Sequence, residues 1–470
     1  MPDQPDLLLF LSDQHTARLM GCAGDAVVET PNLDALSGDG CRFSAAITPC
    51  PLCVPARFAL LSGIMPHRTG VLGNGDIMPS EIATVAHALG AAGYETVLCG
   101  RMHFCGQDQR HGFERRIMGD FTPCLPGRGG ARRADLGPYV ETPAGKWERI
   151  VGGGQDSPVL AYDRAVIAAA VDEIRRDHDR PLFLVVGTYG PHHTFVAPEA
   201  LFRKYHDRVP EPLPVEGRDW LAGDRKATGI HGGLDAAAIR RVRAAYFGMI
   251  EQIDSQVGEV RGAWTERRRR HGRPAQFWYT TDHGESGGNR GLWGKLSFYQ
   301  DALAVPLLAA GDGIRSGVCP TPVSLIDLPV TFAALGQAPT LPAAQGRSLI
   351  PALGGRGLDT VPVMADLRRG GFNRMLRLGS WKYWTSGDEE MLVDLASDPE
   401  ETRNRASERP DLLADLRTRC WDGVDRVAIR AEAERRAQHH GVIETWGGRI
   451  PLEEPDRWTI PRSAWVLPTV

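Results

Sequence analysis

The chain has 470 residues, 42% hydrophobic and 24% charged, with 54 Lys+Arg against 58 Asp+Glu, the make-up of a folded globular protein and not of a disordered or fibrous one. A formal charge of -4 supplies no field able to hold a polyanion, which sets nucleic acid aside as a partner and favours small-molecule chemistry. Nine Cys, an odd number, with no basic-then-apolar leader and no run of the ~18 to 20 apolar residues a membrane span needs, predict a reduced, cytoplasmic chain with no membrane partner and no disulfide framework.

Short apolar runs at 7–11, 95–99, 182–187, 276–280 and 305–309 read as buried strands. They alternate with helical stretches, which predicts an α/β sheet covered by helices. Between the first two runs, 80–92 reads as a helix with Ser80 as N-cap, Ile82, Val85, Ala86 and Leu89 at helical spacing, and Gly93 as its stop. A second helix is predicted at 162–176. The longest spans about 235–264, where Tyr246, Met249, Ile250, Ile253, Val257 and Val260 form one apolar stripe. Two Gly- and Pro-rich stretches, 121–154 and 209–233, lack periodicity and are expected to be substrate-facing insertions. Past Pro351 the glycines Gly354, Gly355 and Gly357 suggest a boundary. Beyond it 375–378, 381–384 and 391–395 read as a small antiparallel sheet, 412–436 as one charged surface helix, and 441–470, with Trp446, Trp458 and Trp465, as a tail packed on a surface. The expected division is a catalytic domain over 1–360, a small α+β domain over 361–440 and the tail.

The residues that carry chemistry begin at Cys53-Val54-Pro55-Ala56-Arg57, a C-x-P-x-R pattern that three fixed positions would produce by chance in roughly one chain in twenty. Cys50-Pro51-Leu52-Cys53 is also a CxxC, so a redox pair or a buried structural Cys are the plain alternatives. The flank Leu60-Leu61-Ser62-Gly63-Ile64-Met65-Pro66-His67-Arg68-Thr69-Gly70 extends the pattern into one that resembles the signature of the type I sulfatases, in the alkaline-phosphatase-like superfamily. Further segments fit it. Asp13-Gln14 ends the first strand, Gly100-Arg101-Met102-His103 follows the run at 95–99, Pro191-His192 follows 182–187, Asp282-His283-Gly284-Glu285 follows 276–280, and Gly291-Leu292-Trp293-Gly294-Lys295 comes after it. The segments 100–116 and 282–308 are closest to the choline-sulfatase subgroup.

The resemblance implies a fold: a large domain with a central mixed, mostly parallel sheet sandwiched by helices, plus a smaller C-terminal α+β domain with a short antiparallel sheet. It also implies roles. Cys53 would be oxidised to Cα-formylglycine by a formylglycine-generating enzyme, and its hydrate would be the nucleophile toward a small sulfate ester. Asp13, Gln14, Asp282 and His283, with residue 53, would hold one divalent metal. Hard oxygen ligands suit Ca²⁺, Mg²⁺ or Mn²⁺; the family's usual metal is Ca²⁺, and His283 leans toward Mn²⁺. His103 would be the base for the second hydroxyl, Arg57 and Arg101 would hold the nucleophile and its charge, and His192 and Lys295 would serve the leaving oxygen. Gly63 and Gly70 would shape the turns after the nucleophile.

The chain departs from the pattern in three places. Arg101 stands where the family has Lys, which keeps the charge but replaces a point by a planar fork. Gly190 stands where the subgroup has a second His, and the tail differs from the subgroup's. Three functions are weighed: a sulfatase acting on a small soluble ester, with choline sulfate the sharper substrate and aryl or alkyl sulfates the plainer ones; a phosphonate monoester or phosphodiester hydrolase using the same nucleophile; and a silent anion-binding or structural protein in which Cys53 is never oxidised. No pattern encodes an oligomeric state, and the Trp-bearing tail is a candidate to cover a neighbouring subunit's pocket in a homo-oligomer.

Overall fold

The first strand, β1 (Asp6–Ser12), is buried at every position. Its Leu8 and Phe10 enter one apolar core and its Leu7, Leu9 and Leu11 another, so both faces need cover and the strand belongs in the middle of a sheet. The computed structural model describes residues 4–106, 108–120, 158–193, 195–224 and 234–449, and it puts β1 there. The other strands of the large sheet are β2 (Cys41–Phe43), β3 (Glu95–Gly100), β4 (Arg115–Met118), β5 (Leu182–Gly187), β6 (Ala275–Thr281), β7 (Leu307–Gly311) and β8 (Gly317–Cys319). Their spatial order is β4-β3-β5-β1-β6-β7-β2-β8. All neighbours are parallel except that β7 runs antiparallel to β6 and β2. The sheet is thus mixed and mostly parallel, as expected.

One face is covered by helices Pro158–Arg175 and Ala236–His271, the other by Cys53–Ser62, Val85–Ala91 and Asp327–Leu335. The long helix starts where Asp235 accepts the backbone N–H of Ala238 and runs to His271, seven residues past its expected end at 264. Those last residues, Arg267 to Arg270, are polar, so the apolar stripe undercounts the helix. The helix expected from Ser80 starts later. Thr84 caps it, its side chain and that of His87 forming a reciprocal box.

The small sheet has four strands rather than three: β9 (Val363–Arg368), β10 (Phe372–Leu378), β11 (Trp381–Ser386) and β12 (Glu389–Asp394), in sequential antiparallel order. It leans on the large one. Asp366 donates its backbone N–H to Pro49 O at 2.9 Å, and its carboxylate takes His67 Nδ1 at 2.7 Å and Arg374 Nε at 2.9 Å. The single helix expected at 412–436 is two, Pro410–Trp421 and Arg426–Gly447, parted at Gly423, whose φ of 66° no ordinary helix residue adopts. The second runs through Trp446, so the tail begins later than 441. Trp458 and Trp465, the stretch 121–154 and residues 225–233 lie outside the described residues. The described part of the other insertion, 209–224, packs on the structure, with Asp219 N–H on Thr402 O at 2.7 Å and Trp220 against Tyr299. No described helix is long and apolar enough to cross a membrane. Cys22, Cys41, Cys50, Cys53, Cys99, Cys319 and Cys420 form no disulfide.

Candidate active site

In a mostly parallel sheet the strand ends that share one edge deliver their loops to one place. Asp13 follows β1, Arg101 and His103 follow β3, His192 follows β5, and Asp282 and His283 follow β6. Residue 53 opens the helix Cys53–Ser62, so the backbone N–H groups and the positive end of the helix dipole lie beside it. Gly63 and Gly70 close this helix and the next turn with φ of 74° and 73°.

The structure brings all ten sequence-expected residues together. Lys295 Nζ lies 3.0 Å from Cys53 Sγ, 2.7 Å from Gln14 Oε1 and 2.9 Å from His192 Nε2. His283 Nε2 lies 3.2 Å from the same sulfur. Arg57, fully buried in the helix that residue 53 opens, donates Nε to Asp282 Oδ2 at 2.7 Å and Nη2 to Asp13 Oδ2 at 3.0 Å. Arg101 donates Nε to the same Asp13 oxygen at 2.6 Å, Nη1 to Asp120 Oδ1 at 3.1 Å and Nη2 to His103 Nδ1 at 3.0 Å. Gln14 and His103 hold left-handed backbone, φ 69° and 55°. Non-glycine residues adopt it at a cost, and such strain gathers at functional sites.

Two consequences follow from donor chemistry alone. Lysine and arginine only donate. His192 Nε2 therefore accepts from Lys295, and its hydrogen sits on Nδ1, toward Tyr189 OH and the His193 carbonyl. His103 Nδ1 accepts from Arg101, so in the neutral ring the hydrogen sits on Nε2.

Burial raises the Cys53 thiol, but Lys295 and His283 beside it pull it well below the ordinary thiol range. Cys50 has no such cations, and burial drives it well above that range. The two cysteines of the CxxC are thus chemically unequal. Asp13 is raised by burial and lowered further by Arg101 and Arg57, with a net shift far below the ordinary carboxylate range. Burial lowers His283, but Asp282 and Cys53 together outweigh it, and the net shift is upward.

Asp13, Cys53, Asp282 and His283 offer one ligand atom each within 4.8 Å of one another. Asp13 Oδ1 is buried without a hydrogen-bond partner, an orphaned charge that a cation would satisfy. The donor set of two carboxylates and one imidazole fits a hard divalent ion. The Gln14 amide oxygen accepts from Lys295, and its Nε2 donates to Glu285. Glu285, quoted in the motif above without a role, is a residue the sequence left silent. Its Oε1 accepts the backbone N–H groups of Gly287 and Gly294, so it shapes the turn that ends at Lys295. Asp120 was missed outright. It stands two residues past the edge strand β4 and ties Arg101 to the His103 backbone, and no motif marks it.

Comparison with known proteins agrees with this geometry. The sulfatase family profile matches residues 5–338. A choline-sulfatase of Rhizobium meliloti is 31% identical over 488 aligned positions, covering 97% of this chain and 91% of its own. An arylsulfatase K of Danio rerio is 27% identical, covering 92% and 86%. Among solved structures, a phosphonate monoester hydrolase from Silicibacter pomeroyi superposes with a TM-score of 0.73 at 22% identity, covering 93% and 95%. The chain belongs to the sulfatase family, enzymes that hydrolyse sulfuric esters.

Proposed function

We propose that the chain hydrolyses a small sulfate monoester with a formylglycine hydrate made from Cys53, and that choline sulfate is a substrate to test first. The observation that carries this reading is the placing of residue 53 at a helix N-terminus, in contact with Lys295 and His283 and ringed by Arg57 and Arg101. A sulfate ester is an anion, and a nucleophile reaches its sulfur only where cations offset the repulsion. The likeness to the R. meliloti choline-sulfatase supports the choice of substrate.

In the proposed cycle one hydroxyl of the hydrate attacks sulfur, the S–O bond to the alcohol breaks, and the alcohol leaves with a proton. Lys295 is the donor aimed at that oxygen, and His192, which accepts from Lys295, holds the ammonium in place. The second hydroxyl then loses its proton, the aldehyde reforms and sulfate departs; water restores the hydrate. His103 is the base assigned to that proton. Arg101 holds it with its hydrogen on Nε2, so for Nε2 to take up the proton the ring hydrogen moves to Nδ1, with release of the Arg101 contact there. Asp13, Asp282 and His283 would hold the divalent ion, with Gln14 beside them. A bound Ca²⁺, Mn²⁺ or Mg²⁺ would supply positive charge at the sulfate oxygens. Arg57, gripped by both carboxylates, keeps them oriented.

The second reading, a phosphonate monoester hydrolase, is favoured by the S. pomeroyi neighbour, although at 22% identity that likeness speaks for the fold alone. Steady-state kinetics on matched aryl sulfate and aryl phosphonate esters separate the two. The sulfate reading requires the larger kcat/KM on sulfate; a clear preference for phosphonate overturns it.

A further inference from the structure

A cavity of about 220 Å³ lies between the long helix Ala236–His271 and the turn after Glu285, and none of the ten residues around Cys53 lines it. Its walls include Phe195, Tyr246, Phe247 and Trp293. Arg243, 7% exposed, lines it as well, together with Arg18, Asp25, Glu211 and Glu285. Its Nε donates to Pro210 O at 2.9 Å and its Nη1 to Gly287 O. Its Nη2 makes no hydrogen bond among the described residues, and no carboxylate there pairs with it.

That is an uncommon state for a buried guanidinium, since buried charges are normally paired. Burial lowers Arg243 to about 10, and Asp301, Glu211 and Asp25 act on it only at a distance. The acids on the cavity wall are already engaged. Asp25 accepts the backbone N–H groups of Val27 and Val28, Glu211 faces Arg240 at 3.3 Å, and Glu285 holds Gly287 and Gly294. Ser286, on the same wall, has its hydroxyl buried with no partner. A guanidinium is a planar fork matched to a carboxylate. Here one arm of the fork is uncommitted, beside an unpartnered hydroxyl and aromatic faces.

We propose that this cavity binds a small monocarboxylate with an aromatic or branched apolar body, its carboxylate on Arg243 Nη2 and its body against Phe195, Phe247 and Trp293. The size is apt, because a dry apolar cavity of about 150 Å³ already holds benzene. The site is independent of the sulfatase reading, and either can fail without the other.

Calorimetric titration of the full chain with benzoate tests it, with benzamide as the uncharged match. The expected result is one site with Kd on the order of 1 mM or tighter and benzamide at least about tenfold weaker. Arg243→Met should weaken benzoate by about tenfold or more, the effect of one charge-assisted bond, while Lys295→Ala leaves it within about twofold. If Arg243→Met does not fold, Arg243→Lys, which keeps the charge and loses the fork, and Ser286→Ala take its place, each with weaker binding expected. No saturable binding of benzoate or phenylacetate, equal affinity in the Arg243 and Ser286 variants, or loss of binding in Lys295→Ala would overturn the proposal and leave Arg243 a tie between residues 210 and 287.

Discussion

Replacing Arg101 by Lys restores the family's residue, yet the structure predicts a loss. Among its contacts the guanidinium reaches Asp13 at 2.6 Å, Asp120 at 3.1 Å and His103 Nδ1 at 3.0 Å at once. A lysine ammonium is a single point on a flexible stem and cannot span all three directions. At least one charge-assisted bond goes, worth about 1.5–3 kcal/mol, which corresponds to roughly 10- to 150-fold in kcat/KM. His103 also loses the donor that fixes its tautomer, so the pH profile of kcat should change shape. A merely structural Arg101 would lower stability and leave that profile alone. The assay is steady-state hydrolysis of an aryl sulfate by the matured enzyme across pH, with thermal unfolding alongside. An Arg101→Lys enzyme within about threefold of the parent, with the same pH profile, would show that a point charge at residue 101 suffices and that the fork has no role.

Lys382 and Glu401, both fully buried, pair across the edge of the small sheet, and Lys382 also donates to Phe298 O. Lys382→Met should cost about 3–5 kcal/mol in urea unfolding because Glu401 is left buried without its ammonium, whereas the double variant with Glu401→Leu should recover most of it; additive losses would contradict this. His15, buried between Tyr279 OH at 2.6 Å and Leu19 O at 3.0 Å, is lowered by burial from 6.5 to about 4. The folded state refuses a proton that the unfolded chain accepts, so stability is complete above about pH 6.5 and falls as pH drops toward 4, by up to roughly 3 kcal/mol; in His15→Gln the fall should shrink by that amount. Removing divalent ions with a chelator should abolish turnover and lower the unfolding midpoint. Adding Ca²⁺ or Mn²⁺ at about 100 times Kd should return about 2.7 kcal/mol, and none of it in Asp13→Asn, whose parent oxygen Oδ1 is the unpartnered one.

The site was legible where chemistry sits directly after a strand. Asp13, Arg101, His192 and Asp282 each follow an apolar run, and in a mostly parallel sheet that alone sends them to one edge. Asp120 and Asp163 were not legible. Asp163, raised by burial to about 7, lies in helix Pro158–Arg175 and holds the backbone N–H groups of Tyr189 and Gly190 ahead of His192. Such partnerships span 17 to 27 residues between different elements and exist only once the order β4-β3-β5-β1 is known. Direction was hidden too, since an apolar run such as 305–309 reads the same whether its strand pairs parallel or, as β7 does with β6, antiparallel. The displaced helix start at Thr84 has a local cause: His87 takes the place that a capping box usually gives to Glu or Gln.

The mass of the tryptic peptide spanning residues 43–57 reports on the proposed nucleophile itself. It contains both Cys50 and Cys53, so alkylation of Cys50 serves as an internal control. In protein made together with a formylglycine-generating enzyme, residue 53 is expected to have lost its sulfur and gained an aldehyde oxygen, with sulfate ester turnover scaling with the modified fraction. Full turnover by protein in which Cys53 is entirely an unmodified thiol would contradict this.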